Sequence, residues 1–441
     1  MVPSDTGGSP TGMLLDPALR GAVRVLGGPG TGKTRLLLDA AAARIDAGAD
    51  PESVLMLTGS GRLGAQARGT LTAALLAGPG RDAVRQPLVC SVHAYAFGVL
   101  RLAAQRAGDP PPRLITGAEQ DNVVRELLAG EVEDGARRWP AALRAALSTD
   151  GFANELRDLM SRCAERGIDP VRLQRIGRRS GRPEWVAAGR FAQQYEQVML
   201  LRSAVGMAAP QATVPALGAA DLVGAALDAL AADRGLLAAE HARIELLLVD
   251  DVQNLDPQAA LLVRVLADGV GAAVLAADPN QRVFGFRGAD AGALLDGDAP
   301  VLHLTTSHRC APAIARAVSA VAALLPGQSP ARVITGSDDV GDGEVRAVLA
   351  ASEHAEAAVV ADAFRRAHLV DGVPWSQMAV IVRSVARAGA GLPRALTAAG
   401  VPVAPSAMDA PLPDNAVVGS LLGVLAATAE GLDARRAEEL L

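Results

Sequence analysis

The sequence predicts an α/β protein built on parallel sheets and interrupted by helical insertions. Three observations predict it: apolar runs that end on an acidic residue, a glycine-rich loop between one such run and a helix, and a central stretch of helical spacing. At 441 residues, half of them apolar and a fifth charged, the chain exceeds one ordinary core, so two or three domains are expected.

Residues 22–27 (Ala-Val-Arg-Val-Leu-Gly) read as a short buried strand that runs into a glycine loop, with an apolar helix over about 33–47. A second strand, Val54–Thr58, follows the start signal Asp50-Pro51-Glu52. Residues 98–205 change character: charged faces at helical spacing, as in 119–128 and 185–201, mark a helical insertion. Residues 206–219, rich in Pro, Ala and Gly, look like a linker or loop. Strand signals return at 245–249 ahead of Asp250-Asp251 and at 272–276 ahead of Asp278. Parallel strands carry their functional groups at such carboxyl ends. A further strand–helix succession covers 300–403, with a strand at 378–382, and 412–441 is helical and ends inside an apparent helix. The resulting division is 1–97 and 210–299 for a first α/β domain, 98–209 for its insertion, 300–404 for part of a second, and 405–441 for the start of an insertion in that one.

Composition excludes several classes. No apolar run approaches the roughly 18–20 residues that span a bilayer, and the start lacks the basic and apolar regions of a secretory signal, so a cytoplasmic protein is expected. Cys90, Cys163 and Cys310 have no metal-like spacing and read as reduced thiols. The net charge of −6 does not favour nucleic acid, so a binder of DNA must concentrate its positive charge locally. The chain has a single lysine, Lys33, among 42 cationic residues. A sequence that uses arginine everywhere else keeps one compact ammonium, which fits between phosphates where a planar guanidinium does not.

Lys33 lies in Gly27-Gly28-Pro29-Gly30-Thr31-Gly32-Lys33-Thr34, which matches G-x-x-x-x-G-K-S/T with a strand before it and a helix after it. Gly28, Gly30, Thr31 and Gly32 let backbone N–H groups converge on phosphates at the positive end of the helix. Lys33 is expected at the β- and γ-phosphates, Thr34 at Mg²⁺, and Arg35 beside the nucleotide. Asp250 supplies the second metal contact at the end of its apolar run, and Asp251 is placed to orient an attacking water. On residues alone the chain is a P-loop NTPase that binds a nucleoside triphosphate with Mg²⁺.

Further segments resemble the UvrD/Rep/PcrA helicases of superfamily 1, in that family's order. Asp250-Asp251-Val252-Gln253 is similar to the D-E-x-Q element, with Asp256 and Gln258 following. Residues 278–289 (Asp-Pro-Asn-Gln-Arg-Val-Phe-Gly-Phe-Arg-Gly-Ala) are similar to G-D-x-x-Q-x-I-Y-x-F/W-R-G-A. Ser307-His308-Arg309-Cys310 resembles N-Y-R-S, Ser91-Val92-His93-Ala94 resembles T-F-H-S, and Arg383 stands where the family has the arginine of A-V-L-x-R. In composition and detail the chain is most similar to the actinobacterial AdnAB helicase–nuclease subunits, on the AdnA side.

The resemblance implies two RecA-like domains with ATP between them, and 3′→5′ movement on single-stranded DNA in repair or recombination. It implies DNA and a second helicase–nuclease subunit as partners. Gln281 would sense the γ-phosphate, and Arg309 would reach it from the second domain. Phe284 and Phe286 would stack on bases, Arg287 would hold the strand, and His93 is either a DNA contact or a core or capping histidine. Seven arginines (162, 166, 172, 175, 178, 179 and 182) form either a phosphate-tracking face or an ordinary solvated one.

The chain departs from the family in places. Asp251 replaces Glu and sets the carboxylate back by a methylene; His308 replaces a tyrosine; Gly59 replaces an aromatic; and Ala277 replaces a glycine. The family's later H-x-x-K-G-L-E element is not in the sequence, so a motor cut short before those motifs, and inactive in unwinding by itself, is expected. A helicase-like subunit that binds ATP and DNA but turns over weakly, beside a partner motor, is the alternative.

Overall fold

The computed structural model describes residues 11–77, 88–205, 216–297, 299–327, 329–384 and 391–404, with a few positions between 418 and 428. Two compact units divide the chain at Val345/Arg346.

The first unit is an α/β body around one six-stranded, wholly parallel sheet. Its strands are β1 (Gly21–Gly27), β2 (Val54–Thr58), β3 (Leu88–Ser91), β4 (Leu246–Val249), β5 (Ala272–Ala277) and β6 (Val301–Leu304), in the order β3-β2-β4-β5-β1-β6. Register pairs Leu26 with Ala277 and Val249 with Leu275, so β4, β5 and β1 end side by side. Strand residues alternate between two cores. Leu55, Leu57, Leu247, Val249 and Leu275 enter one, while Val54, Met56, Leu246, Leu248 and Val274 enter the other. Burial on both faces explains why these strands read as continuous apolar runs.

Helix α1 (Lys33–Asp46) covers one face together with α2 (Gly61–Leu76), and α3 (Val92–Ala107) covers the other. The expected insertion follows α3. It comprises α4 (Gly117–Glu133), α5 (Asp150–Glu165), α6 (Pro170–Arg179) and α7 (Pro183–Val205). A Thr116/Glu119 capping box starts α4, and Asp169 caps α6 with Pro170 at its first position. The insertion has a core of its own, in which Trp139 meets Phe152 edge-on at 5.2 Å and packs against Phe191. After the linker region, α8 (Asp221–Ala232), α9 (Arg234–Arg243) and α10 (Pro257–Ala267) complete the helical cover.

The strand–helix succession from residue 300 departs from the expected division. Its first strand, β6, pairs with β1 at the edge of the same sheet, and Thr306 bridges to Thr335 within the first unit.

The second unit contains α11 (Glu353–Leu369) and α12 (Gly391–Ala398), which pack through Ala361, Phe364, Leu392, Leu396 and Val401. The strand expected at 378–382 is absent: those residues are described without strand pairing, and Ile381 is 95% exposed. A run of apolar residues becomes a strand only beside a hydrogen-bonding neighbour, and none is described there. The helix expected at 412–441 falls mostly outside the described residues. Among the described residues no helix is long and apolar enough to cross a membrane.

Candidate nucleotide site and nucleic-acid face

The strand order explains the site. Three neighbouring strands deliver the glycine loop after β1, Asp250 and Asp251 after β4, and Asp278 after β5 to one edge of the sheet. In the loop, Gly30 and Gly32 have φ of 74° and 86°, which curl the backbone around the start of α1. The Thr31 hydroxyl donates to the Gly28 carbonyl at 2.9 Å and braces the curve from inside. The Lys33 ammonium donates to the carbonyls of Gly27 and Gly28 at 2.8 and 2.9 Å, so it lies over the loop and not out in solvent. Burial lowers its pKa; Asp278, Asp251 and Asp250 act in the opposite direction, and the Arg309 charge adds to the lowering.

Thr34 and Asp250 meet directly: the hydroxyl donates to Oδ2 at 2.6 Å. Asp250 is 8% exposed, and burial pushes its carboxyl above the ordinary range. Asp278 is pushed upward in the same way. One of its oxygens accepts from the Asn280 N–H at 3.0 Å, while Oδ2 is buried without a hydrogen-bond partner. These oxygens suit a hard cation. Magnesium takes one or two carboxylates and completes its shell with water and substrate phosphate oxygens, so the donor set fits it. Among the described residues no group of three or more His, Cys, Asp or Glu could hold a metal on its own.

Asp251 has φ 54° and ψ 43°, one of two non-glycine residues with positive φ among those described. Asp tolerates that conformation better than most side chains do. Gln253, 3% exposed, fixes the turn: its Nε2 donates to Asp251 Oδ1 at 3.1 Å, and its Oε1 accepts from the Asp278 N–H at 3.0 Å. Sequence reasoning quoted Gln253 only as part of a motif. Its burial inside a polar turn is what reveals the bridge.

Residues 307–309 seat on the glycine loop. Ser307 is fully buried; its hydroxyl donates to the Pro29 carbonyl at 2.8 Å and accepts from the Cys310 N–H at 3.1 Å. The His308 N–H donates to the Gly30 carbonyl at 2.9 Å. A Cβ on Gly30 would stand 2.6 Å from both Arg309 Cβ and the Ser307 hydroxyl, so only glycine admits this approach. Arg309 therefore belongs to the same compact unit as the loop. The role of Ser307 was invisible in sequence, where serine stands in place of the family's asparagine. Gln281 lies exposed in the turn after Asp278, its N–H donating to the Asp278 carbonyl. Arg35 faces solvent in an ion pair with Asp39 at 2.9 Å.

Residues 284–287 make a separate feature. Phe286 is 76% exposed and Phe284 38%. Their ring centres lie 6.5 Å apart, and the Arg287 guanidinium lies over both, at 5.4 and 5.7 Å. The two rings are tilted by 44° to one another, and exposed aromatic faces beside a guanidinium can stack on planar bases. His93 is half-buried in the first turn of α3, near Glu165, whose carboxyl burial pushes above the ordinary range. In the arginine group, Arg162 pairs with Glu165, and Arg182 lies near Glu184 and over Trp185. Arg166, Arg175, Arg178 and Arg179 are exposed. Leu173, Gln174 and Gly177 form the buried side of α6, so its arginines project to solvent.

No curated protein matches the chain. Residues 15–300 match the UvrD/REP helicase N-terminal domain, the stretch that holds the glycine loop, the paired aspartates and the exposed aromatics, and the chain belongs to that helicase family.

Proposed function

We propose that this chain is the ATP-driven motor portion of a DNA helicase that moves 3′→5′ on single-stranded DNA in repair or recombination. The carrying observation is the seating of residues 307–309 on the glycine loop, which sets Arg309, Lys33 and three aspartates into one electrostatic group. In this reading the N–H groups of Gly28, Gly30, Thr31 and Gly32 cradle the phosphates, and Lys33 exchanges its loop carbonyls for phosphate oxygens. Arg35 lies at the outer edge of the nucleotide. Thr34 and Asp250 hold magnesium, which when bound neutralises charge on the β- and γ-phosphates. Asp251 orients the attacking water, Gln281 senses the terminal phosphate, and Arg309 stabilises the charge that develops on it.

DNA engages the other feature. Phe284 and Phe286 stack on bases, each worth roughly 1–3 kcal/mol and tolerant of sequence, with Arg287 and His93 beside the strand. The solvent-facing arginines of α6 supply positive charge for phosphates despite the acidic net balance.

A second reading is favoured by Asp251, whose left-handed backbone and bond to Gln253 hold a short carboxylate back. In it the chain binds ATP and DNA but turns over weakly beside a second helicase–nuclease subunit. DNA-stimulated ATP hydrolysis by the full chain, with Lys33→Ala as control, separates the two. Stimulation abolished by Lys33→Ala supports the motor. DNA and nucleotide binding without stimulated hydrolysis supports the second reading, and binding of neither overturns both.

A further inference from the structure

The helical insertion meets the aromatic loop at the end of α5. At the last turn of α5, the Arg162 guanidinium donates both to the Glu165 carboxylate and to the backbone carbonyl of Arg287. The next residue, Gly288, has φ +90°, and a Cβ there would lie 2.7 Å from Glu165 Oε2 and 3.4 Å from Arg162 Cδ. Only glycine lets the end of α5 close on the loop.

We propose that Arg162 and Glu165 are positioning residues for DNA binding: through the Arg287 carbonyl they hold the aromatic loop in the form that presents its rings to bases. The inference rests on the base-stacking reading above. Its logic is local. The loop is a single short turn, closed by Arg287 N–H to Phe284 O at 2.8 Å and Gly288 N–H to Gly285 O at 3.0 Å. Its rings are exposed, so no core holds them. Arg287 supplies both handles: its guanidinium covers the two rings, and its carbonyl is taken by Arg162. Fixing that carbonyl fixes the peptide from which the guanidinium projects. Glu165 in turn fixes Arg162. The carboxylate is pressed by burial and by the Asp256 charge toward its neutral form, and Arg162 and His93 oppose this. An ordinary surface pair is worth little. This one has a backbone carbonyl of a functional loop as its third member.

The test uses the full chain and an oligothymidylate carrying one 2-aminopurine, read by fluorescence, with a fluorescent ATP analogue as a separate probe. Phe286→Ala first establishes how much of the 2-aminopurine signal comes from stacking. Arg162→Ala is expected to weaken oligonucleotide binding about tenfold, the cost of roughly one charge-assisted hydrogen bond. It should also reduce the 2-aminopurine signal to the level of Phe286→Ala and leave nucleotide affinity unchanged. Because Arg162 acts on the loop and not on a phosphate, the slope of log K against log salt should stay at the wild-type value. Arg162→Lys, which keeps a donor, should recover part of the signal, and Glu165→Gln should lose part of it.

Wild-type binding and signal in Arg162→Ala would overturn the proposal. So would a salt slope smaller by about 0.7, which marks a lost single-strand phosphate contact. If Arg162→Ala also loses nucleotide binding, Arg162→Lys and Glu165→Gln decide by the same readings. A wild-type signal indifferent to Phe284→Ala and Phe286→Ala would instead remove the stacking reading itself.

Discussion

Thr34 and Asp250 stand 216 residues apart in the chain, and the hydroxyl of one donates to the carboxylate of the other at 2.6 Å. The bond joins the first turn of α1 to the end of β4 and aligns two oxygen donors. If their shared role is a divalent cation, Thr34→Ala should uncouple nucleotide binding from magnesium. Wild-type affinity for a fluorescent ATP analogue is expected to rise at least about tenfold when magnesium is added, as for a cation bound jointly by protein and phosphate. Thr34→Ala should show little rise and keep its magnesium-free affinity. An unaltered magnesium response would remove Thr34 from the metal shell.

Gly30 sits beneath Arg309, and its φ of 74° adds backbone demand to close approach. Gly30→Ala is expected to displace residues 307–309 and reduce ATP hydrolysis by about a hundredfold, the scale set by an ångström of misplacement. Gly48→Ala is the control: its φ is 104°, but a Cβ there meets nothing within 4 Å. Both variants should lose stability by about 1–2 kcal/mol from backbone strain, seen in denaturant melts, whereas only Gly30→Ala should lose hydrolysis. Equal hydrolysis in the two would mean that Arg309 does not act at the loop.

Asp251→Glu would restore the residue found in related helicases, yet lower turnover is expected. Glu is less at ease than Asp in the left-handed region, by about 1 kcal/mol, and its longer side chain leaves the 3.1 Å bond to Gln253. Steady-state kcat with saturating DNA checks this. A large gain in kcat would show that the turn relaxes and that carboxylate reach, not backbone, limits hydrolysis.

The parts legible in sequence are those whose signal is local. The glycine loop, Val54–Thr58, and the apolar runs ahead of Asp250 and Asp278 each carry their own pattern, and the structure places them within a residue or so of where that pattern ends. Val301–Leu304 carries no such pattern. Its residues are half-buried or exposed, so nothing in them says which sheet they join. Residues 378–382 show the opposite failure: an apolar run without a described partner strand. Contacts such as Arg162 to the Arg287 carbonyl, 125 residues apart, leave no periodic trace, and burial of Ser307 depends on a neighbour 278 residues earlier.

Tyr95 ties α3 to α9 inside the first unit, and its effect on stability should depend on pH in a defined direction. Its hydroxyl donates to Glu240 Oε2 at 2.7 Å, and Arg243 donates to the same oxygen at 2.7 Å and to Oε1 at 3.1 Å. Burial pushes the Glu240 carboxyl up, but the hydrogen bonds from Arg243 and Tyr95 outweigh it, so the group lies below the usual carboxylate range. Burial and Glu240 raise the Tyr95 phenol, which keeps it a donor. A carboxyl depressed in the folded state contributes stability above its unfolded pKa of about 4.3 and loses that contribution as pH falls through the folded value. Tyr95→Phe is therefore expected to cost about 1.5–3 kcal/mol at pH 7, the worth of a hydrogen bond to a charged group. The cost should shrink as pH falls from about 4.3 through the lower folded value of Glu240, where the carboxyl takes up a proton in the folded wild type too. Urea unfolding of both proteins at pH 7 and pH 3 measures it. An equal penalty at the two pH values would mean that the hydroxyl serves packing and not the buried carboxylate.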